Sequence, residues 1–334
     1  MQRINLAGSG HAFECGGDDT ILRAGLRAGL ALPYSCNTGS CGTCRFELEE
    51  GSVEHIRADP PAWSDRDRRR GRWLGCQARP LSDCSIRVRL DPTFEVTHPP
   101  SRRRGVLGEV TPLTHDISEF AFEIEGPDEF SPGQYALLGL DGVDAPRGYS
   151  MSNLPGDGVW RFQIKRVPGG EATGALFDRL APGAEVAIDG PYGTAYLRES
   201  AERDLLLIAG GSGLSPMVSI ARAAARSPAL AGREIHFLYG CRTPADICGE
   251  DMLAALAGYG ERLFYRAAIS EPAPGDGWEG ATGFIHDVAR EAFGARLADM
   301  EVYFAGPPAM AAALQRMLHE AGAGPGHIHF DEFF

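Results

Sequence analysis

The sequence predicts a multidomain chain in three parts: an α+β unit over 1–92, an antiparallel β-barrel over 105–200 and an α/β unit on a parallel sheet over 201–334, with 93–104 as linker. Three observations predict it. At 334 residues the chain exceeds what one hydrophobic core usually holds. Between Gly105 and Ala195, short strand-like runs follow one another through Gly, Pro and Asp turns, a texture that closes into a barrel to remove exposed edges. From Asp204 onward, apolar strands alternate with Ala-rich helices, the mark of a parallel sheet covered on both faces.

In chain order, Ile21, Leu22, Leu26 and Leu30 recur at helical spacing behind Asp19, which predicts an amphipathic helix over Thr20 to Leu30 capped by that aspartate. A cysteine-rich loop follows. Arg45 to Leu48 and Ser85 to Leu90 alternate as strands, with Ile86, Val88 and Leu90 on one face. Asp91 to Arg104 holds prolines and three consecutive arginines without an apolar period, and so reads as linker. The barrel strands are Val106 to Val110, Ile117 to Ile124, Tyr135 to Leu140, Trp160 to Val167 and Val186 to Ile188, with one helix over Thr173 to Leu180. In the last part, strands Leu205 to Ile208, Ile235 to Tyr239 and Val302 to Phe304 alternate with helices Met217 to Ala225, Asp287 to Phe293 and Met310 to Ala321.

Composition narrows the function. Net charge is −13, and its distribution is uneven: residues 1–100 balance, while 101–200 and 201–334 are acidic. That disfavours nucleic acid, because phosphate binding needs a basic surface. No apolar run approaches the roughly 20 residues of a membrane helix, and the N-terminus lacks a secretory core, so a cytoplasmic protein is expected. In that compartment the eight cysteines are poor disulfide candidates, and a tight cluster among them reads as metal-binding.

Such a cluster exists. Cys36, Cys41 and Cys44 have the C-x4-C-x2-C spacing, and Cys76 follows at a distance, the ligand pattern of a [2Fe-2S] cluster. Gly39, Ser40, Gly42 and Thr43 are small enough to let the backbone wrap the cluster and aim N–H groups at sulfur. A structural zinc site is the other reading, although zinc sites usually pair two C-x2-C knuckles and only one is present. Cys15, Cys84, Cys241 and Cys248 read as ungrouped core or surface thiols. On this spacing the first ~90 residues resemble a plant-type ferredoxin domain, which implies a β-grasp-like fold.

Arg147-Gly148-Tyr149-Ser150, with Asn153 after it, resembles the Arg-x-Tyr-Ser flavin motif of the ferredoxin-NADP reductase superfamily. The resemblance implies that Arg147 meets the FAD pyrophosphate, Tyr149 the flavin ring and Ser150 the ring N5. Ile164 and Lys165, on the strand leading to Pro168-Gly169-Gly170, join the expected FAD site. Lys165, the sole lysine, either touches flavin phosphate or is solvated. At the turn opening the next helix, the amides near Thr173 and Gly174 are candidates for pyrophosphate.

Strand Leu205 to Ala209 runs into Gly210-Gly211-Ser212-Gly213-Leu214-Ser215-Pro216, a phosphate cradle at the carboxyl end of a parallel sheet. It resembles the superfamily's Gly-Gly-x-Gly-x-x-Pro nucleotide loop. Gly190-Pro191-Tyr192-Gly193 and Gly306-Pro307-Pro308 fall in superfamily order around it. Where many relatives carry Cys before that last motif, Ala305 stands here. Arg242 alone follows the second strand, with Asp246, Glu250 and Asp251 downstream, so NADH is expected over NADPH; Arg242 either meets the nucleotide or salt-bridges on the surface.

The tail His329-Phe330-Asp331-Glu332-Phe333-Phe334 should dock, because leaving two phenylalanines in water forfeits roughly 1.5–3 kcal/mol each. The superfamily resemblance implies that Phe333 or Phe334 covers the flavin; the other reading is that they pack on the nucleotide domain. Arg66, Arg68, Arg69, Arg70 and Arg72 precede Cys76; they either steer an acidic redox partner or form a solvated helix face.

Taken whole, the chain resembles NADH-dependent reductase components of bacterial multicomponent oxygenases. The nearest look is to reductases of aromatic-ring monooxygenases with a diiron hydroxylase, and reductases of Rieske-type dioxygenases or deoxysugar dehydration systems are the alternatives. The resemblance implies [2Fe-2S], FAD and NADH as cofactors and a Rieske-type ferredoxin or an oxygenase hydroxylase as partner. A redox sensor that keeps the folds without turnover is the alternative from outside catalysis.

Overall fold

The computed structural model describes residues 1–156 and 158–333. The chain divides into two compact units. The first holds Met1–Arg102 with Pro146–Gly148 and Asp189–Thr194, and the second holds the remainder.

In the first unit a five-stranded sheet runs in the order Ala12–Cys15, Gln2–Leu6, Cys84–Arg87, Arg45–Glu50, Arg72–Leu74. Gln2–Leu6 and Cys84–Arg87 pair in parallel, and the other neighbours are antiparallel. The helix Ile21–Arg27 buries Ile21, Leu22 and Leu26. It is shorter than its apolar period suggests, because Gly29 takes a left-handed turn after it. Its cap is Thr20, whose hydroxyl accepts the Arg23 amide; Asp19 is instead drawn into an ion pair with Arg27 at 2.6 Å.

The stretch from Ser101 is strand, not linker, over Ser101–Pro112, and from Arg103 it belongs to the second unit. The sheet order is Arg147–Ser150, Tyr135–Gly139, Glu185–Tyr192, Ser101–Pro112, Ile117–Ile124, Val159–Lys165. Met151, immediately beyond the first strand, bridges to Phe162 of the last, which joins the two edges and makes a barrel. Phe120, Phe122, Trp160 and Phe162 fill it. The helix expected over Thr173 to Leu180 is an α-turn, Glu171–Gly174, followed by a π-turn, Ala175–Arg179.

The nucleotide part carries a six-stranded parallel sheet in the order Ala281–Thr282, Leu263–Ile269, Ile235–Cys241, Leu205–Gly210, Glu301–Gly306, Ile328–Glu332. Alternation along the first of these strands in the sequence, Leu205–Gly210, explains the two layers. Leu205 and Leu207 meet Met217 and Ile220 of helix Leu214–Arg226 on one face. Leu206 and Ile208 meet Leu314 and Leu318 of helix Pro308–Glu320 on the other. Strand order reverses between Leu205–Gly210 and Glu301–Gly306, so a crevice opens at their carboxyl ends, where such sheets bind ligands.

The tail docks as the sixth strand. Phe330 stacks on Phe304 at 4.9 Å, and the buried Glu301 carboxylate accepts from His327 and His329 at 2.7 and 2.6 Å. No described helix is long and apolar enough to cross a membrane.

Candidate functional site

The cysteine loop is held from both sides. Arg23 of the first helix donates to the side chain and carbonyl of Asn37, a buried residue in the left-handed region at φ 55°. Gly75 donates to the Cys44 carbonyl at 2.9 Å and accepts from Leu22 at 3.0 Å, which brings Cys76 beside Cys44. The amides of Thr38 and Cys41 point at Cys36 sulfur from 3.5 and 3.4 Å, and the Thr43 amide at Cys41 sulfur from 3.5 Å.

The four sulfurs fall into two hydrogen-bonded pairs. Hydrogen bonding from Cys41, aided by the loop amides, pulls the Cys36 thiol down to about 4, and Cys41 rises in response. Hydrogen bonding from Cys76 likewise lowers Cys44 while Cys76 rises. Amides aimed at the Cys36 and Cys41 sulfurs, with Cys76 held beside Cys44, fit a [2Fe-2S] cluster held by four thiolates. Burial pushes the other thiols up, Cys15 and Cys241 to about 12, so they stay protonated and unreactive.

Arg147 and Tyr149 are half-buried on one strand, and Ser150 ends it buried. The Ser150 carbonyl accepts from Ser215 at 2.6 Å, whereas its hydroxyl has no hydrogen-bond partner among the described residues. Ile164 turns its side chain into the barrel core, so only its main chain can meet a ligand. The Thr173 hydroxyl is engaged by Val167 and Gly170, and the Gly174 amide already donates to the Gly170 carbonyl at 2.8 Å. Gly174 therefore cannot offer its amide to phosphate while this turn is closed. The Lys165 side chain is 38% exposed, its ammonium lies 2.8 Å from Asp116, and a Cβ on Gly211 would lie 3.6 Å from its stem. It supplies the positive charge among His115, Asp116 and Asp246.

The nucleotide loop begins at the end of Leu205–Gly210, turns through Gly211, Ser212 and Gly213 with Gly211 at φ 56°, and enters the helix that carries Pro216 in its first turn. A Cβ on Gly213 would strike the main-chain carbonyl of Ala305, and one on Gly210 would sit 2.5 Å from Met310 sulfur. The Gly210–Gly213 and Gly306–Pro307 turns are thus pressed together as one cradle, which fits a dinucleotide whose pyrophosphate lies against bare backbone.

Sequence reading missed how the barrel and this cradle are joined. Ser215 also accepts the Gln163 amide at 3.2 Å, Ser219 donates to the Asn153 carbonyl at 2.7 Å, and Arg222 donates to the Ser152 carbonyl at 2.8 Å. Only the apolar period of that helix was visible, and its polar residues give no sequence signal of what they meet. Asp331 was also missed. It pairs opposite Ala305, one carboxyl oxygen is buried without a partner among the described residues, and burial pushes its carboxyl up to about 7.

Arg242 is exposed and 3.9 Å from Glu271, so it sits as a surface ion pair. Phe333 donates its amide to Gly306 at 3.0 Å and packs on the nucleotide core; Phe334 lies outside the described residues.

Comparison with known proteins gives three matches along the chain: a 2Fe-2S iron-sulfur cluster binding domain over 4–81, an oxidoreductase FAD-binding domain over 104–196 and an oxidoreductase NAD-binding domain over 207–316. The ferredoxin–NAD(P)(+) reductase CarAd of Metapseudomonas resinovorans is 38% identical, covering 96% of both chains. The ferredoxin–NAD(+) reductase component of the alkene monooxygenase system of Xanthobacter autotrophicus is 38% identical over 97% of this chain and 98% of its own. Among solved structures, the ferredoxin reductase in carbazole 1,9a-dioxygenase superposes with a TM-score of 0.92 at 36% identity, covering 100% of this chain and 98% of the other.

Proposed function

We propose, on the premise that this chain belongs to the ferredoxin–NAD(P)(+) reductase components of oxygenase systems, that it draws electron pairs from NADH and delivers them singly to an aromatic- or alkene-oxidising monooxygenase. The receiving protein is a hydroxylase or a Rieske-type ferredoxin. The chain is an oxidoreductase with [2Fe-2S], FAD and NAD domains. Bound FAD would supply the step from the electron pair of one hydride to single electrons, which a one-electron cluster requires.

The observation that carries this reading is the Ser215 hydroxyl, which hydrogen-bonds the Ser150 carbonyl and so ties the nucleotide cradle to the flavin strand. In this reading Arg147 holds flavin pyrophosphate, Tyr149 lies along the ring and the unpartnered Ser150 hydroxyl hydrogen-bonds N5. Gly210, Gly211, Ser212 and Gly213 receive the NADH pyrophosphate, with Gly306 and Pro307 closing the other side. Phe333 covers the ring from beside Gly306. Lys165, held by Asp116 beside Gly211, would meet the flavin phosphate on leaving Asp116. A 2′-phosphate would meet one arginine already facing Glu271, with the buried Asp246 nearby, which supports NADH as donor. A cytoplasmic location fits eight cysteines with no disulfide among them.

The test is turnover of the reconstituted protein with an artificial acceptor. NADH should exceed NADPH in kcat/KM by at least about tenfold, ~1.4 kcal/mol; preference for NADPH overturns the donor, and no turnover with either leaves a sensor. Replacing Ser150 by Ala should slow anaerobic flavin bleaching by NADH about 10- to 100-fold, the worth of one hydrogen bond to a developing charge, with NADH affinity unchanged. Stopped-flow absorbance measures both, and an unaltered rate removes Ser150 from the reaction.

A further inference from the structure

We infer that electrons leave through the face formed by the cysteine loop and the short helix Asp65–Arg69, and that this face receives an acidic protein. The inference rests on the reductase reading and adds the chemistry of its partner. From Arg57 to Arg72 the sequence holds six arginines and three aspartates, a local excess of positive charge in a chain of net charge −13.

The structure fixes that charge beside the cluster ligands. Ser64 caps the helix in a capping box with Asp67. The buried Asp67 carboxylate is gripped by Arg45 at 3.1 Å, and Arg45 also donates to the carbonyls of Gly42 at 2.8 Å and Ala62 at 2.6 Å. The Ala62 amide donates in turn to the Gly39 carbonyl at 3.1 Å. Helix and cysteine loop therefore form one frame, and Ser40, Cys41 and Thr43 show at its rim.

The arginines divide into two sets. Arg68 lies over the Trp63 ring and pairs with Asp59 and Asp65, while Arg72 faces Glu47; both serve the fold. Trp63 stacks on Trp73 with His55 edge-on, a rigid floor under the helix. Arg57, Arg66, Arg69 and Arg70 are exposed and have no acidic partner among the described residues. Arg66, Arg69 and Arg70 share the i, i+3, i+4 face. Unspent positive charge of this kind steers encounter without contributing to stability, and it matters most where the rest of the molecule repels an acidic protein.

Each NADH oxidised releases one proton and two electrons, so it reduces two one-electron haem acceptors. The probes are the soluble haem domain of cytochrome b5, which is acidic, and cytochrome c, which is basic. In R66E/R69E/R70E, low-salt kcat/KM for the acidic haem protein should fall at least tenfold, while that for cytochrome c rises. Both differences should vanish as salt screens them. NADH–ferricyanide turnover and the cluster EPR signal should match the parent.

Equal rates with both haem proteins in parent and variant overturn the docking face and leave the reductase standing. Heparin binding lost in the variant without any change in these rates also overturns it, in favour of a polyanion site. Loss of the EPR signal would report damage to the loop, and the neutral triple R66Q/R69Q/R70Q then decides: an intermediate, salt-dependent loss supports the face and none overturns it. A parent that reduces neither haem protein with NADH defeats the underlying reductase reading instead.

Discussion

Cys44→Ser will leave NADH-driven ferricyanide reduction within roughly twofold of the parent and lower reduction of a protein acceptor by at least about a hundredfold, because the cluster needs four thiolates. Cys44 is the cysteine to replace, since it is buried, its thiol is the lowered member of the Cys44–Cys76 pair, and its carbonyl anchors Gly75. A serine hydroxyl keeps that carbonyl and the local volume but does not ionise near neutral pH, so it offers no anionic soft ligand. Flavin chemistry lies elsewhere in the chain and should persist. The measurements are EPR after dithionite, flavin absorbance and the two acceptor assays. A variant that keeps its EPR signal and its protein-acceptor rate would remove Cys44 from the ligand set.

Gly213→Ala should lower thermal stability by about 1–3 kcal/mol, the usual cost of overpacking a filled core, and raise the NADH dissociation constant at least tenfold. Gly213 has an ordinary helical φ of −59°, so strain is not the reason. The reason is contact: the added Cβ enters the carbonyl of Ala305, a residue paired with Ala209 on one side and Asp331 on the other. A flexible side chain could swing away, but that backbone cannot. Gly174→Ala is the matched control, with nothing within 4 Å of the new carbon and a φ of −60°. Calorimetric Tm and NADH titration read the pair, and equal behaviour would show that the two nucleotide turns yield more easily than their packing implies.

Much of the architecture was legible because its signals are local. The cysteine spacing is a covalent count, and the apolar strand beginning at Leu205 announces burial on both faces. What escaped was decided at a distance. Arg102, Arg103 and Arg104 read as linker because no apolar period runs through them, yet they belong to a strand whose partners are charges and a ring: Asp18 for Arg102, Trp160 for Arg103 and Glu185 for Arg104. Asp19 looked like a cap, but Arg27, at the far end of the same helix, claims its carboxylate. The tail was expected to dock through its last phenylalanines, but what makes it sheet is Glu301 with its two histidines and Phe330 stacked on Phe304. The Gly174 amide looked available because first-turn amides usually are, and a single 2.8 Å bond to Gly170 closed it.

The seam made by Ser215, Ser219 and Arg222 also bears on recombination. Chimeras of such reductases invite a cut near residue 200, where the texture of the sequence changes. These three side chains lie beyond that cut, while the carbonyls of Ser150, Ser152 and Asn153 that they satisfy lie before it. A helix imported without them would strand buried acceptors at about 1–3 kcal/mol apiece, so a working crossover has to transplant this helix together with the barrel it grips.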